Sequence, residues 1–209
     1  MSATAKVLLE PRKRPVQARS TACVAAILEA TIQVLLRVGK ERLTTTRVAE
    51  RAGVSVGTLY QYFPNKSALL RAILRRHMDD VTAAIERVGV EQRGKPAEEM
   101  VAAAIEAFLA AKMRNSKMSM ALYSVSSDVD GAKIVQSATA RLNAAMVSML
   151  ASARPALRRD PQLVADMLQG AMAGVSRRML DSGEPEKHAA ALREELIFLA
   201  RAYVRACAG

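Results

Sequence analysis

Residues 43–66 read LTTTRVAERAGVSVGTLYQYFPNK, two short helical segments that pivot on Gly53, and this stretch constrains the fold more than any other part of the chain. In the first segment, 46–52, Val48, Ala49 and Ala52 recur at helical spacing while Arg47, Glu50 and Arg51 point elsewhere, which predicts a short amphipathic helix. Closing that helix and redirecting the chain calls for positive φ, which Gly53 adopts without steric cost; Val54 follows as an apolar plug. Ser55 is a good N-cap for the next helix, 56–62, where Leu59 and Phe63 lie four apart on a buried side. Pro64 stops that helix and Asn65 caps another.

The free side chains of the second segment, Val56, Gly57, Thr58, Gln61 and Tyr62, suit a nucleic-acid groove. Thr and Gln hydrogen-bond base edges, Val meets a thymine methyl, Gly57 lets the backbone come close, and Tyr hydroxyls reach phosphates. Lys66 lies at a helix N-terminus, where backbone N–H groups, the helix dipole and the ammonium all favour a phosphate. The alternative is a small helical hairpin whose polar residues are merely solvated.

Residues 44–66, with ILEATIQVLL before them and SALLRAIL after, resemble the DNA-binding domain of the TetR family of transcriptional regulators. The resemblance covers about the first third of the chain and rests on a threonine-led helix, AxxAGVS, GTLYxYF and a lysine opening a long helix. It implies phosphate contacts from Thr45 or Thr46, Tyr62 and Lys66, and groove contacts from Ser55, Val56, Gly57, Thr58, Tyr60 and Gln61. Many relatives carry a polar or basic residue at the place of Val56, so van der Waals contact is expected there. It also implies an all-α fold, with an N-terminal three-helix DNA-binding domain joined by a long helix to a C-terminal ligand-binding and dimerisation domain. The expected divisions are a basic arm over 1–18, the helix-turn-helix domain over 19–66 with its motif at about 44–63, and the helical remainder over 67–209.

Charge agrees with a polyanionic partner. The net +11 is uneven: residues 1–78 hold 14 Lys and Arg against 4 Glu, while the rest holds 17 basic against 16 acidic residues. Salt-sensitive phosphate binding follows from counterion release. In the opening stretch Pro11 and Pro15 flank Arg12, Lys13 and Arg14, which reads as a mobile arm that either follows a phosphate backbone or enters a minor groove, or else is a solubilising tail. No run approaches 18 continuous apolar residues and the start lacks a secretion signal's apolar core, so no membrane partner and a cytoplasmic location are expected. Cys23 and Cys207 have no CxxC spacing, His77 and His188 sit in charged contexts that suggest exposure, and no GxSxG, P-loop or HExxH run occurs. The expectation is no metal, no cofactor and no enzyme.

The remainder reads as helices: 21–38 ending before Gly39, 65–88, 96–113, 117–126, 133–153 after a turn at Asp130 and Gly131, 160–180 opened by Asp160 and Pro161, and 185–207. The last two carry more apolar surface than one core uses. Val164, Leu168, Met172 and Val175 fill one face, while Leu163, Met167, Gly170, Ala173 and Gly174, with Leu196, Leu199 and Tyr203, suggest a four-helix interface between two copies. The family resemblance implies the same pairing; a helix buried inside a monomer is the alternative.

Met100, Phe108, Met113, Met120, Tyr123, Met146, Met149 and Met167 are the candidate pocket, since methionine adapts to varied apolar shapes; plain core filling is the competing reading. The leading functional expectation is a dimeric repressor released from a palindromic double-stranded operator by a small lipophilic effector. A DNA-binding regulator or architectural protein without an effector stands beside it, and an enzyme of the second domain is third.

Overall fold

The computed structural model describes residues 18–126, 129–182 and 185–208, and the described residues are helical with no strand. The helices are α1 Ala18–Arg42, α2 Thr45–Ala52, α3 Val56–Tyr62, α4 Lys66–Glu91, α5 Ala97–Met113, α6 Ser116–Ser126, α7 Val129–Ala151, α8 Pro161–Asp181 and α9 Pro185–Ala208. They fall into two compact units: residues up to Arg76 with Ala121–Ile134, and His77–Met120 with the chain from Val135 onward. The expected basic arm lies outside the described residues apart from Ala18, the first residue of α1.

The first unit is built on α1. Gly39, at φ 76° and ψ 168°, interrupts this helix where the sequence ends it. By length and composition 20–42 is apolar enough to cross a bilayer, a property hidden from a search for unbroken apolar runs because Glu29 and Arg37 lie within it. Here it is a core helix: Ile27, Ala30, Ile32, Val34 and Leu35 are buried, and α1 packs on α2. Buried Thr31 satisfies its hydroxyl by donating to the Ile27 carbonyl at 2.7 Å. Leu43, Val48, Leu59, Phe63, Leu69 and Ile73 are almost fully buried in the same unit. Each such side chain contributes roughly 1.5–3 kcal/mol of apolar transfer.

The turn expected at Asp130 and Gly131 is instead the first turn of α7. A Cβ at Gly131 would lie 2.4 Å from the Val125 carbonyl oxygen and 2.9 Å from the Ser126 Cα. The glycine is there for close approach between the end of α6 and the start of α7, a use that local sequence does not distinguish from a turn.

In the second unit α9 packs on α5 and α8 around a core containing Met100, Ile105, Met146, Leu150, Val164, Leu168, Met172, Leu196, Ala200 and Val204. Pro96 is the N-cap of α5 rather than a residue of its first turn; Glu98 and Glu99 follow at the positive end of the dipole. Asp160 caps α8 by accepting from the Gln162 N–H at 2.9 Å, with Pro161 at the first helical position as expected. Polar clamps tie the rim. Arg205 holds Glu98 through two hydrogen bonds of 3.0 and 2.6 Å, Arg141 bridges Asp79 and Glu86 of α4, and the Asn143 amide donates to Asp166 and Gln169 of α8. Cys207 is buried in this core, with its carbonyl accepting from the Arg158 N–H at 2.8 Å.

Candidate nucleic-acid interface

The recognition segment is assembled by four caps. Thr44 opens α2, its hydroxyl accepting from the Arg47 N–H at 3.3 Å. Gly53 closes α2 in the left-handed conformation, φ 67° and ψ 30°, with its N–H donating to Glu50 and the Val54 N–H to Ala49. No L side chain takes that conformation without strain, so the glycine fixes the turn between the two helices. Ser55 then caps α3, accepting from the Thr58 N–H at 2.9 Å and sharing a 2.8 Å hydrogen bond with the Thr58 hydroxyl. Asn65 caps α4 by accepting from the Ala68 N–H at 2.8 Å.

With those ends fixed, the buried side of α3 is the one the spacing predicts, while of the residues expected to be free Thr58 and Tyr62 are half-buried. Leu59 and Phe63 are buried, whereas Ser55, Val56, Gly57, Tyr60 and Gln61 are exposed. Val56 at 36% and Tyr60 at 40% exposure are large apolar groups that a free helix would gain by hiding. Tyr60 is held in place by a 3.0 Å hydrogen bond between its hydroxyl and that of Thr45, which joins α3 to the first turn of α2. The Thr58 hydroxyl is engaged in the cap, so Gln61 is the long polar side chain on this face most open to a base edge. Thr46 is exposed and Thr45 half-buried at the start of α2.

Lys66 begins α4, and its ammonium donates to the Glu41 carbonyl at 3.2 Å. That contact positions the ammonium by tying it to the turn after Gly39 and uses one of its three protons, leaving two donors for a phosphate. Arg47 is anchored similarly, its guanidinium donating to the Arg42 carbonyl at 2.6 Å. An open cleft of about 700 Å³ lies between α1 and α2, lined by Gln33, Val34, Arg37, Val38, Arg47, Glu50 and Arg51. Its one signal in the sequence is the i,i+4 spacing of Arg47 and Arg51 on one helix face.

The residues expected to line a pocket do not share one environment. Met100, Phe108, Met146 and Met149 are buried in the core of the second unit and Met113 packs partly against it. Met120 and Met167 are exposed, and Tyr123 is half-buried and belongs to the first unit. The expected interface residues also divide. Leu163, Met167, Gly170, Ala173, Gly174 and Leu199 are exposed, whereas Leu196 fills the protomer's own core and Tyr203 packs partly on it. Phe198, 71% exposed, takes the outward place on α9 that spacing alone had given to Leu196.

His77, read from its charged neighbours as exposed, is buried. Burial first, and the Lys112 charge second, push its pKa down to about 4; burial lowers Lys112 as well. The His188 side chain lies outside the described residues.

A half-exposed helix braced by a glycine-turned partner, on a basic unit, defines a helix-turn-helix transcriptional regulator. The chain belongs to the TetR family: residues 27–73 match the bacterial regulatory proteins of the tetR family, and residues 96–203 match the tetracyclin repressor-like C-terminal domain. It is therefore a regulator and not an enzyme. The transcriptional repressor KstR of Mycolicibacterium smegmatis is 42% identical over 64 residues, 31% of this chain and 31% of that protein. The match thus spans about a third of that curated relative. SmeT, the repressor of the Stenotrophomonas maltophilia multidrug efflux pump SmeDEF, is 25% identical with a TM-score of 0.66, covering 87% of this chain and 88% of that one. SmeT in complex with triclosan matches at 23% identity and the same TM-score, over 85% of this chain and 91% of that one.

Proposed function

We propose that this protein is a homodimeric repressor that reads a palindromic operator through α3 and releases it when a small apolar ligand enters its second unit. The observation that carries the DNA reading is the division of α3: Leu59 and Phe63 anchor it, Val56, Gly57, Tyr60 and Gln61 are exposed, and Arg47 of α2 and Lys66 of α4 are cations of the same unit held by backbone carbonyls. Gln61 suits a base edge, Val56 a thymine methyl, and Thr46, Tyr62 and Lys66 the phosphates that set register.

Support for two copies comes from α8 and α9, where Leu163, Met167, Phe198 and Leu199 are more than half exposed beside Gly170 and Gly174. A Cβ at either glycine meets nothing within 4 Å, so the space over them is open to a partner helix. A two-fold axis there gives two recognition helices and hence a palindromic site. Ligand response is supported by the methionine-rich core of the second unit and by the triclosan complex of the similar SmeT. DNA binding of this kind belongs in the cytoplasm.

The test is selection of bound sites from random duplex DNA at two salt concentrations. A palindromic motif is expected; sequence-blind binding that salt abolishes would overturn the reading in favour of an architectural role.

A further inference from the structure

The cleft between α1 and α2 belongs to the same unit as the recognition helix, yet reading DNA through α3 does not use it. Its volume of about 700 Å³ lies within the range of roughly 300–1,000 Å³ typical of sites that enclose a ligand. Gln33, Val34, Arg37 and Val38 form one wall, and Arg47, Glu50 and Arg51 the other. At about 1.5 Å per residue each wall is roughly 6–8 Å long, the length of two or three extended residues.

The cations of this cleft are uncompensated. Among the described residues no carboxylate pairs with Arg37, Arg47 or Arg51, whereas Arg141, Arg177 and Arg205 of the second unit are each held by one. Arg51 spends its Nε on the Gln33 side-chain oxygen at 2.5 Å, and Arg47 one terminal nitrogen on the Arg42 carbonyl at 2.6 Å. Both acceptors are neutral, so these guanidinium groups are held in place with their charge unmatched and most of their five donors left over. Arg37 is exposed. Three arginines against Glu50 leave the cleft positive, and buried Val34 with half-buried Val38 gives it an apolar part.

Two observations favour a protein segment over a nucleic acid. Thr45 is the residue of α2 whose hydroxyl meets Tyr60 of α3. At about 100° per residue, Arg47, Glu50 and Arg51 stand roughly 120–160° round α2 from Thr45, so the cleft opens on the flank away from that contact. A phosphate chain also gains nothing from the valines and is repelled by Glu50. A peptide offers carboxylates for bidentate contact with arginine and an aliphatic side chain for the valines.

We propose that this cleft docks a short segment of a partner protein, two or three extended residues with carboxylates beside an aliphatic side chain, while α3 holds DNA. Arg37 and Arg51 receive the carboxylates, and Val34 and Val38 the aliphatic group. The proposal goes beyond the repressor reading and requires neither effector nor dimer.

The test uses the full chain and labelled glycine-serine decapeptides that differ only at three central positions: aspartate-leucine-aspartate, aspartate-serine-aspartate and lysine-leucine-lysine. Binding is read by fluorescence anisotropy with and without saturating operator duplex. The first peptide is expected to bind at least tenfold more tightly than the other two and to stay bound when operator is added. Arg37→Ala and Arg51→Ala are each expected to weaken it fivefold or more while operator affinity stays within twofold. Arg37→Ala alone carries the test if loss of the Gln33 hydrogen bond unfolds Arg51→Ala. Displacement of the peptide by operator, or binding that survives these substitutions, overturns the proposed site. Loss of operator affinity in the arginine variants, with the slope of log affinity on log salt reduced by roughly one in each, assigns the cleft to phosphates instead. Equal binding of the first two peptides, or no binding by any of the three, overturns the proposed partner chemistry and leaves the DNA reading intact.

Discussion

Replacing Gly174 by leucine separates the protomer's own stability from its association. Leu163 and Met167 are each 62% exposed, Phe198 71% and Leu199 55%. Full burial of such a side chain is worth roughly 1.5–3 kcal/mol, so the part still exposed on each retains about 1–2 kcal/mol. Two copies brought together thus gain on the order of 10 kcal/mol from these side chains, against an association cost of about 4–15 kcal/mol. That margin is narrow enough that the helices must meet closely. A leucine at Gly174 starts from a Cβ that meets nothing within 4 Å in its own protomer, so it extends into the open space over α8 and holds a partner helix away. Helix propensity even favours leucine over glycine at an exposed interior position, by somewhat under 1 kcal/mol. Gly174→Leu is therefore expected to be fully helical by circular dichroism and monomeric by sedimentation velocity at low micromolar concentration, where the parent chain is expected to sediment as a dimer. A dimer of unchanged mass refutes the proposed interface. A variant that loses helicity refutes the premise that Gly174 is free within the protomer.

Four further outcomes follow from the site and from buried His77. Lys66→Ala is expected to weaken all DNA about equally and to reduce the slope of log affinity on log salt by roughly one, whereas Gln61→Ala changes preference at one or two positions of the selected site; equal loss of specific and non-specific binding in both removes this division of roles. Ser55→Ala deletes the α3 cap and is expected to cost about 1 kcal/mol in urea denaturation, with Ser55→Asn restoring most of it; an unchanged midpoint shows that the 2.9 Å hydrogen bond contributes nothing. Gly53→Val forces a β-branched residue to φ 67° and is expected to lose about 1–2 kcal/mol and weaken operator binding, measured by melting and anisotropy. For His77 the folded pKa, about 4, lies below the usual 6.5, so the unfolded chain takes up the proton first. Its contribution is complete above pH 6.5 and is lost as pH falls through 4, by up to about 3 kcal/mol. His77→Gln should flatten stability over that window, and a parallel pH curve in the variant argues against it.

The helix-turn-helix segment was legible because every device in it is local. Thr44, Ser55 and Asn65 cap through backbone N–H groups three residues ahead, Gly53 answers a φ requirement at its own position, and Leu59 and Phe63 are set inward by one helical period. Helix number, type and most boundaries in the second unit were legible for the same reason: apolar spacing and the Asp160 and Pro161 start are short-range signals. What local signals left open was which apolar face meets which neighbour. Leu196 and Phe198 both suit an apolar α9, and only packing of that helix on α5 and α8 sends Leu196 inward and leaves Phe198 outside. Gly131 shows the same ambiguity, since a glycine required by a chain crossing within 3 Å is identical in sequence to one required by a turn. His77 and Lys112 sit among charged residues along the chain, yet tertiary packing closes over both. The sequence by itself determined the helices, their caps and the buried side of α3, because those depend on residues within a few positions of one another. Tertiary structure alone decided the burial of His77 and Lys112 and the outward apolar surface, because burial is a property of neighbours that the chain brings together from far apart.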